Sequence, residues 1–240
     1  MEAISTGGVI SRVMRIYRDR AAVLLGTALI LFGIDALASF VLTDSLLVFA
    51  AILSLVLGTF YKGMVVELVR DVQDGRRDSS VGALFRSVSP AVVPLIAVSF
   101  LAALGVGIGF LLLIVPGLFL LTIWAVIAPV TVLERPGVLA AFGRSRELVR
   151  GHGWPVFGVM VIVLLLIIAV ATVSVLIGAA TGDAGEAITG WLLSALAQPI
   201  SPLAASVLYF ALLGRRDAPG DEVERPSGSY GGFSPPVPDR

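Results

Sequence analysis

From Ala91 to Leu133 the chain runs for about forty residues without a charged side chain, and no other feature limits its fold as strongly. A helix crosses the roughly 30 Å of bilayer hydrocarbon in about 20 residues, so this run is too long for one crossing and right for two. Pro116-Gly117 lies where a break is needed, because proline interrupts a helix and glycine permits a turn. The pattern predicts two membrane helices here, at about 91–115 and 117–133. Four further apolar runs have similar lengths, at about 21–42, 46–68, 154–179 and 188–213. The expectation is an all-α polytopic membrane protein with six transmembrane helices.

Composition agrees with this reading. The chain is 57% hydrophobic and 14% charged, whereas soluble domains sit near about 45–50% apolar and about 25% charged. Ala36-Leu37-Ala38 mimics a signal-peptidase site. The run before it is long enough to span and contains Asp35, so the first helix is expected to be retained. A net charge of zero gives no field that would gather nucleic acid. The absence of cysteine removes disulfides, thiol catalysis and cysteine metal sites.

The arginines set the orientation. All 17 basic residues fall in four places in a six-helix arrangement: before helix 1, from Lys62 to Arg86, from Arg135 to Arg150, and after Leu213. Those four places share one side. The other side holds Thr43-Asp44-Ser45, Pro116-Gly117 and a loop with Asp183 and Glu186. Positively charged loops stay in the cytoplasm, so both termini are expected there. Arginine nearly replaces lysine and Ala, Val and Gly abound, which points to a GC-rich bacterial genome and hence the plasma membrane.

Each expected helix pair is preceded by a basic amphipathic segment. Val9–Arg20 places Val9, Val13, Ile16 and Tyr17 at helical spacing, with Arg12, Arg15 and Arg18 on another face. Ser80–Val88 and Gly137–Arg150 repeat the pattern, and 83–87 resembles 141–145. Such helices lie in the headgroup plane with their arginines toward anionic lipid. The expected unit is a basic interfacial helix followed by a membrane hairpin, three times over 1–213. The remainder, 214–240, is rich in Pro, Gly, Ser and charge and is expected to be a disordered cytoplasmic tail. Its stretch Phe233 to Pro238 has the composition of a polyproline element.

Little in the sequence carries chemistry. His152 is the only histidine, so there is no triad, no metal-ligand cluster and no expected cofactor. Gly105 and Gly109 form a G-x-x-x-G face for close helix packing; whether the partner helix is in the same chain is not readable. Asp35 is the one carboxylate deep in an apolar run. It is a candidate intramembrane proton or cation site, or a neutral acid bonded to a nearby hydroxyl. Gln198, beside Pro199 and Pro202, interrupts helix 6 and is the second candidate polar site. Arg144, Arg146 and Arg150 are candidate contacts to lipid headgroups, with Glu134 the carboxylate able to pair with an arginine and fix the loop.

One stretch carries a family resemblance. It runs Pro116-Gly117-Leu118, Trp124, Pro129, Glu134, Gly137, Ala141-Phe142, Arg144-Ser145, Leu148, Gly151 and Trp154. This order resembles the membrane domain attached to some bacterial glycerophosphoryl diester phosphodiesterases and found in stand-alone multi-pass proteins. The opening Ile4–Tyr17 is similar to the start of that domain, and the likeness covers about 4–213. It implies six membrane helices. It implies no catalysis, because the phosphodiesterase activity belongs to a soluble barrel beyond the membrane part. The resulting expectation is a non-enzymatic scaffold, regulator or partner of an envelope or lipid-related system. Its partners are the bilayer, anionic headgroups and another protein. The alternative is a transporter or lipid-handling protein that uses Asp35 and the broken sixth helix.

Overall fold

The computed structural model describes residues 5–41, 46–75 and 81–216, and the described residues contain no strand. Helix α1, Thr6–Asp19, starts at Ser5, whose hydroxyl accepts from the Gly8 N–H at 3.1 Å. Then come α2 Ala21–Val41, α3 Leu47–Gln73, α4 Val81–Val88 and, after a 3-10 turn, α5 Val92–Leu112. They are followed by α6 Ile114–Ile123, the single turn α7 Ile127–Pro129, and a π-helical turn Val130–Glu134. The chain ends with α8 Val138–Val149, α9 Gly153–Ala197 and α10 Ile200–Arg216. Helix α9 is two helices joined at Gly182, whose φ of 75° only glycine adopts readily.

Six stretches are long and apolar enough to cross a membrane: Ala21–Ala38, Val48–Gln73, Gly82–Leu112, Ile114–Glu134, Gly153–Gly182 and Ile188–Arg215. The number matches the sequence reading, but three details differ. The break in the forty-residue run falls at Leu113, which is extended (φ −165°, ψ 150°), and not at Pro116-Gly117. Pro116 instead lies in the first turn of α6, where a missing N–H costs nothing because those amides have no intrahelical partner. Helix α3 continues to Gln73, beyond the expected Leu68, and α10 runs to Arg216, past the expected boundary at 213. The expected tail beyond Arg216, the Thr43-Asp44-Ser45 loop, and Arg76 and Arg77 lie outside the described residues.

Burial is uneven along the spans. In α2 it falls on Leu24, Thr27 and Ala28 near the start; in α3 it falls on Thr59 to Val69, near the end. In α5, apart from Gly109, it is Leu95 and Val98 near the start; in the next span, besides Gly117 and Thr122, it is Val126 to Val132 near the end. In α9 it begins with Val156 and Val159, and in α10 it covers Pro202 to Tyr209. Consecutive spans therefore alternate in the end they bury, and a single apolar core joins residues of all six. The buried ends are the arginine-bearing ends. The opposite halves leave Ile34, Leu37, Phe49, Ile52, Leu104 and Leu176 exposed.

The short helices close this core. Helix α1 buries Val9, Val13 and Ile16 and exposes Arg12, Arg15 and Arg18; α4 contributes Leu84 and Val88, and α8 contributes Ala141, Leu148 and Val149. Helix α2 packs on α3, and α5 packs on α6. The two glycines of the G-x-x-x-G face meet partners in the same chain. A Cβ on Gly105 would lie 2.7 Å from the Trp124 ring, and one on Gly109 would lie 2.9 Å from the Gly117 Cα. Gly107, between them, has nothing within 4 Å.

Gly109→Val should therefore lower the midpoint of thermal unfolding in detergent, at about 1–3 kcal/mol for overpacking against backbone. Gly107→Ala should leave the midpoint equal or higher. Equal behaviour of the two variants would disprove the close α5–α6 crossing.

Candidate functional site

The site is organised by the way α8 is fastened. Pro136 disfavours helical backbone at Arg135, which turns left-handed (φ 51°) and ends the π-helical turn just after Glu134. Arg135 then donates to the Ser87 carbonyl at 3.2 Å. Gly137, also at positive φ (94°), starts α8. Glu134 is thereby held at the junction. One of its oxygens accepts from Arg144 Nε at 2.8 Å and the other from the Tyr209 hydroxyl at 2.9 Å. Arg144 also reaches Glu147 at 3.3 Å. The bond to Glu134 raises the Arg144 pKa above its ordinary value, so its charge is fixed. On the other face of α8, the fully buried Ser145 donates to the Ile123 carbonyl at 2.9 Å. Phe142 meets Trp124 edge to face, with centroids 5.0 Å apart. One carboxylate thus ties α8 to α10, and one hydroxyl and one ring pair tie it to the end of α6.

Fastened in this way, α8 forms one side of a groove of about 950 Å³ between α6, α8 and the start of α9. Such a volume is typical of ligand sites. Its long wall is α6, from Val115 and Leu118 through Phe119 to Thr122 and Ile123. At 1.5 Å per residue these positions extend over about 12 Å. Trp154 and Phe157, packed edge to face, form the facing wall. Gly143 opens the floor, and Arg146, Glu147 and Arg150 stand at one end. Gly151 (φ 88°) makes the tight turn that brings the first residues of α9 to the same end. Polarity is therefore segregated, with an apolar slot and a charged mouth.

Of the residues singled out from sequence, Arg146 and Arg150 line this mouth. Arg144 does not; two carboxylates, Glu134 and Glu147, engage it. Asp35 accepts from the Ser54 hydroxyl on α3. Gln198 is exposed at the α9–α10 break, its N–H bonded to the Ser194 carbonyl at 2.8 Å. No hydrogen bond joins Asp35 and Gln198, and neither lines the groove. No group of three metal-ligating side chains occurs among the described residues. The sequence reading missed the α6 wall, Gly143 and the Trp154–Phe157 pair. The signal for Gly143 was its spacing, because it shares a helix face with Arg146, Glu147 and Arg150. The α6 wall comes from another part of the chain and has no local signal.

No family model, curated protein or solved structure matches the chain. The resemblance to the phosphodiesterase-linked membrane domain rests on the residues quoted for it, and the site is read from its own chemistry.

Glu134→Gln should cost about 1.5–3 kcal/mol, the range for hydrogen bonds to charged groups, and Tyr209→Phe about 0.5–1.5 kcal/mol. Both act on one carboxylate, so the double variant should lose less than the sum in denaturant unfolding. Strict additivity would show that α8 and α10 are not coupled through Glu134.

Proposed function

We propose that this chain is a non-enzymatic, lipid-handling protein of the bacterial plasma membrane that holds a bilayer lipid in the groove between α6, α8 and α9. The observation that carries this reading is the segregation of the groove, apolar along α6 and basic where α8 ends. In a membrane-spanning bundle the slot lies at hydrocarbon depth and the arginines at headgroup depth, which is the polarity profile of a lipid. The groove moves the preferred reading from a scaffold to lipid handling, and it moves the site away from Asp35 and the broken sixth helix.

The arrangement belongs to the same proposal. The six spans form three hairpins, each introduced by one of the basic helices α1, α4 and α8 lying in the cytoplasmic headgroup layer. Both termini are cytoplasmic. The alternating burial of the span ends and the gathering of arginines at the buried ends support this. The chain has no cysteine, so single replacements report cleanly. Leu113→Cys should react with an impermeant thiol reagent on intact cells, whereas Arg18→Cys should react only after permeabilisation. Labelling of both from one side would refute the orientation.

Gly143 offers a direct test of the groove. A Cβ there meets nothing within 4 Å, so the side chain of Gly143→Trp starts in open space at the groove and is expected to occupy the slot. The substitution should also gain a few tenths of a kcal/mol of helix preference over glycine in the middle of α8, tryptophan being a mid-ranked helix former (~0.5 kcal/mol at most). The expected result is an unfolding midpoint at or above the parent's and a clear fall in lipid retained through purification, read by native mass spectrometry. Unchanged lipid retention would rule out the groove as the site.

A further inference from the structure

The charges at the mouth of the groove specify its ligand further. Arg146 and Arg150 are one helical turn apart on α8, which places their side chains side by side about 5–6 Å apart at Cβ. Both line the mouth and both are exposed. Neither has an ion-pair partner among the described residues, in contrast to Arg144 and Arg70. The one carboxylate at the mouth, Glu147, is engaged by Arg144 at 3.3 Å. Glu147 is more than half exposed and shared with Arg144, so the mouth sets two guanidinium groups against one carboxylate and carries a net positive charge.

A third element adds to this positive potential. Helix α9 starts at the same mouth with Gly153 and Trp154. The amides of a first helical turn have no intrahelical partner and form the positive end of the helix dipole; here these are the N–H groups of Gly153 and Trp154, because Pro155 has none and Val156 bonds the His152 carbonyl at 3.3 Å. His152 at the N-cap provides no side-chain acceptor for them. Guanidinium groups and first-turn amides are both donors that fit phosphate oxygens. Trp154, 84% exposed, stands beside them as an aromatic of the kind that sits at headgroup level.

We propose that the groove selects a phospholipid of net negative charge, its phosphate held between Arg146, Arg150 and the start of α9 and its acyl chain lying along α6. This rests on the lipid reading of the groove. A zwitterionic lipid brings the same phosphate but adds an ammonium group to a mouth that is already positive and whose carboxylate is engaged. A phosphodiester with an uncharged headgroup brings no such repulsion.

The test uses the full chain in detergent, equilibrated with equal amounts of phosphatidylglycerol and phosphatidylcholine of matched acyl chains, with retained lipid counted by native mass spectrometry. The parent should keep phosphatidylglycerol in preference. Arg146→Gln with Arg150→Gln should lower that preference by about tenfold or more, since each arginine can supply a charge-assisted bond, with phosphatidylcholine losing less than phosphatidylglycerol and the unfolding midpoint unchanged. Arg15→Gln with Arg18→Gln, an exposed basic pair on α1, should leave the preference intact. Millimolar inorganic phosphate should not displace the lipid. Equal retention of the two lipids by the parent would overturn the charge selection and leave the lipid reading standing. Retention of neither lipid would overturn both. Displacement by inorganic phosphate alone would make this a site for a soluble anion, and an equal loss in the α1 pair would reduce the preference to surface charge.

Discussion

A backbone N–H or C=O left without a partner in hydrocarbon costs several kcal/mol, and the rest of this structure is arranged around that cost. It makes every crossing helical, and it requires each interruption to be compensated. The compensating groups are largely hydroxyls. Thr122, Thr131 and Ser206 donate to the carbonyls of Leu118, Ile127 and Pro202, within the two irregular spans. The Tyr61 hydroxyl reaches the Leu24 carbonyl at 3.0 Å, between α3 and α2. At the α9–α10 break, where Pro199 has no N–H to donate, Tyr17 reaches in from α1 to the Leu196 carbonyl at 3.0 Å. Burial raises the Tyr17 pKa, which keeps that donor protonated.

The same economy explains the charged cluster at the base of α8. Glu134 ends an irregular span, and its two oxygens are satisfied by Arg144 and Tyr209. Pairing of this kind lets a carboxylate stand beside an apolar core, and it joins two elements far apart in the chain. Arg144 is committed here, and Arg146 and Arg150 are the arginines that line the groove. A structural ion pair and a binding mouth therefore share one short helix, with the roles divided by which side of α8 each residue occupies.

How much of this was legible can be judged residue by residue. The spans could be read because a period-free apolar run of about 20 residues has few alternatives. The amphipathic segments could be read because Val9, Val13 and Ile16 against Arg12, Arg15 and Arg18 follow the helical repeat. The turn at Leu113 could not, because proline is as welcome in a first turn as it is disruptive within a helix, and only tertiary contact decides between the two. The pairing of Glu134 with Arg144 was foreseen as one option, and its third member, Tyr209, lies too far along the chain for any local signal. Arg146 and Arg150 were readable as basic residues near a membrane. The groove beside them depends on how α6, α8 and the start of α9 pack together, which has no local signal in the sequence.

The one-sided core has a mechanical consequence. Segments with few buried contacts open at little free-energy cost, whereas well-packed ones open only with the whole fold. Each span here is anchored at its arginine-bearing end and sparsely packed at the other, so stiffness is graded across the molecule. A change in bilayer thickness or lateral pressure would spread the loosely packed ends, pivoting the helices about the tight end. The mouth of the groove is built at the pivot and would keep its geometry while the slot beyond it widens or narrows. On the proposed lipid reading, recognition of the headgroup would thus be insulated from the acyl composition of the surrounding membrane.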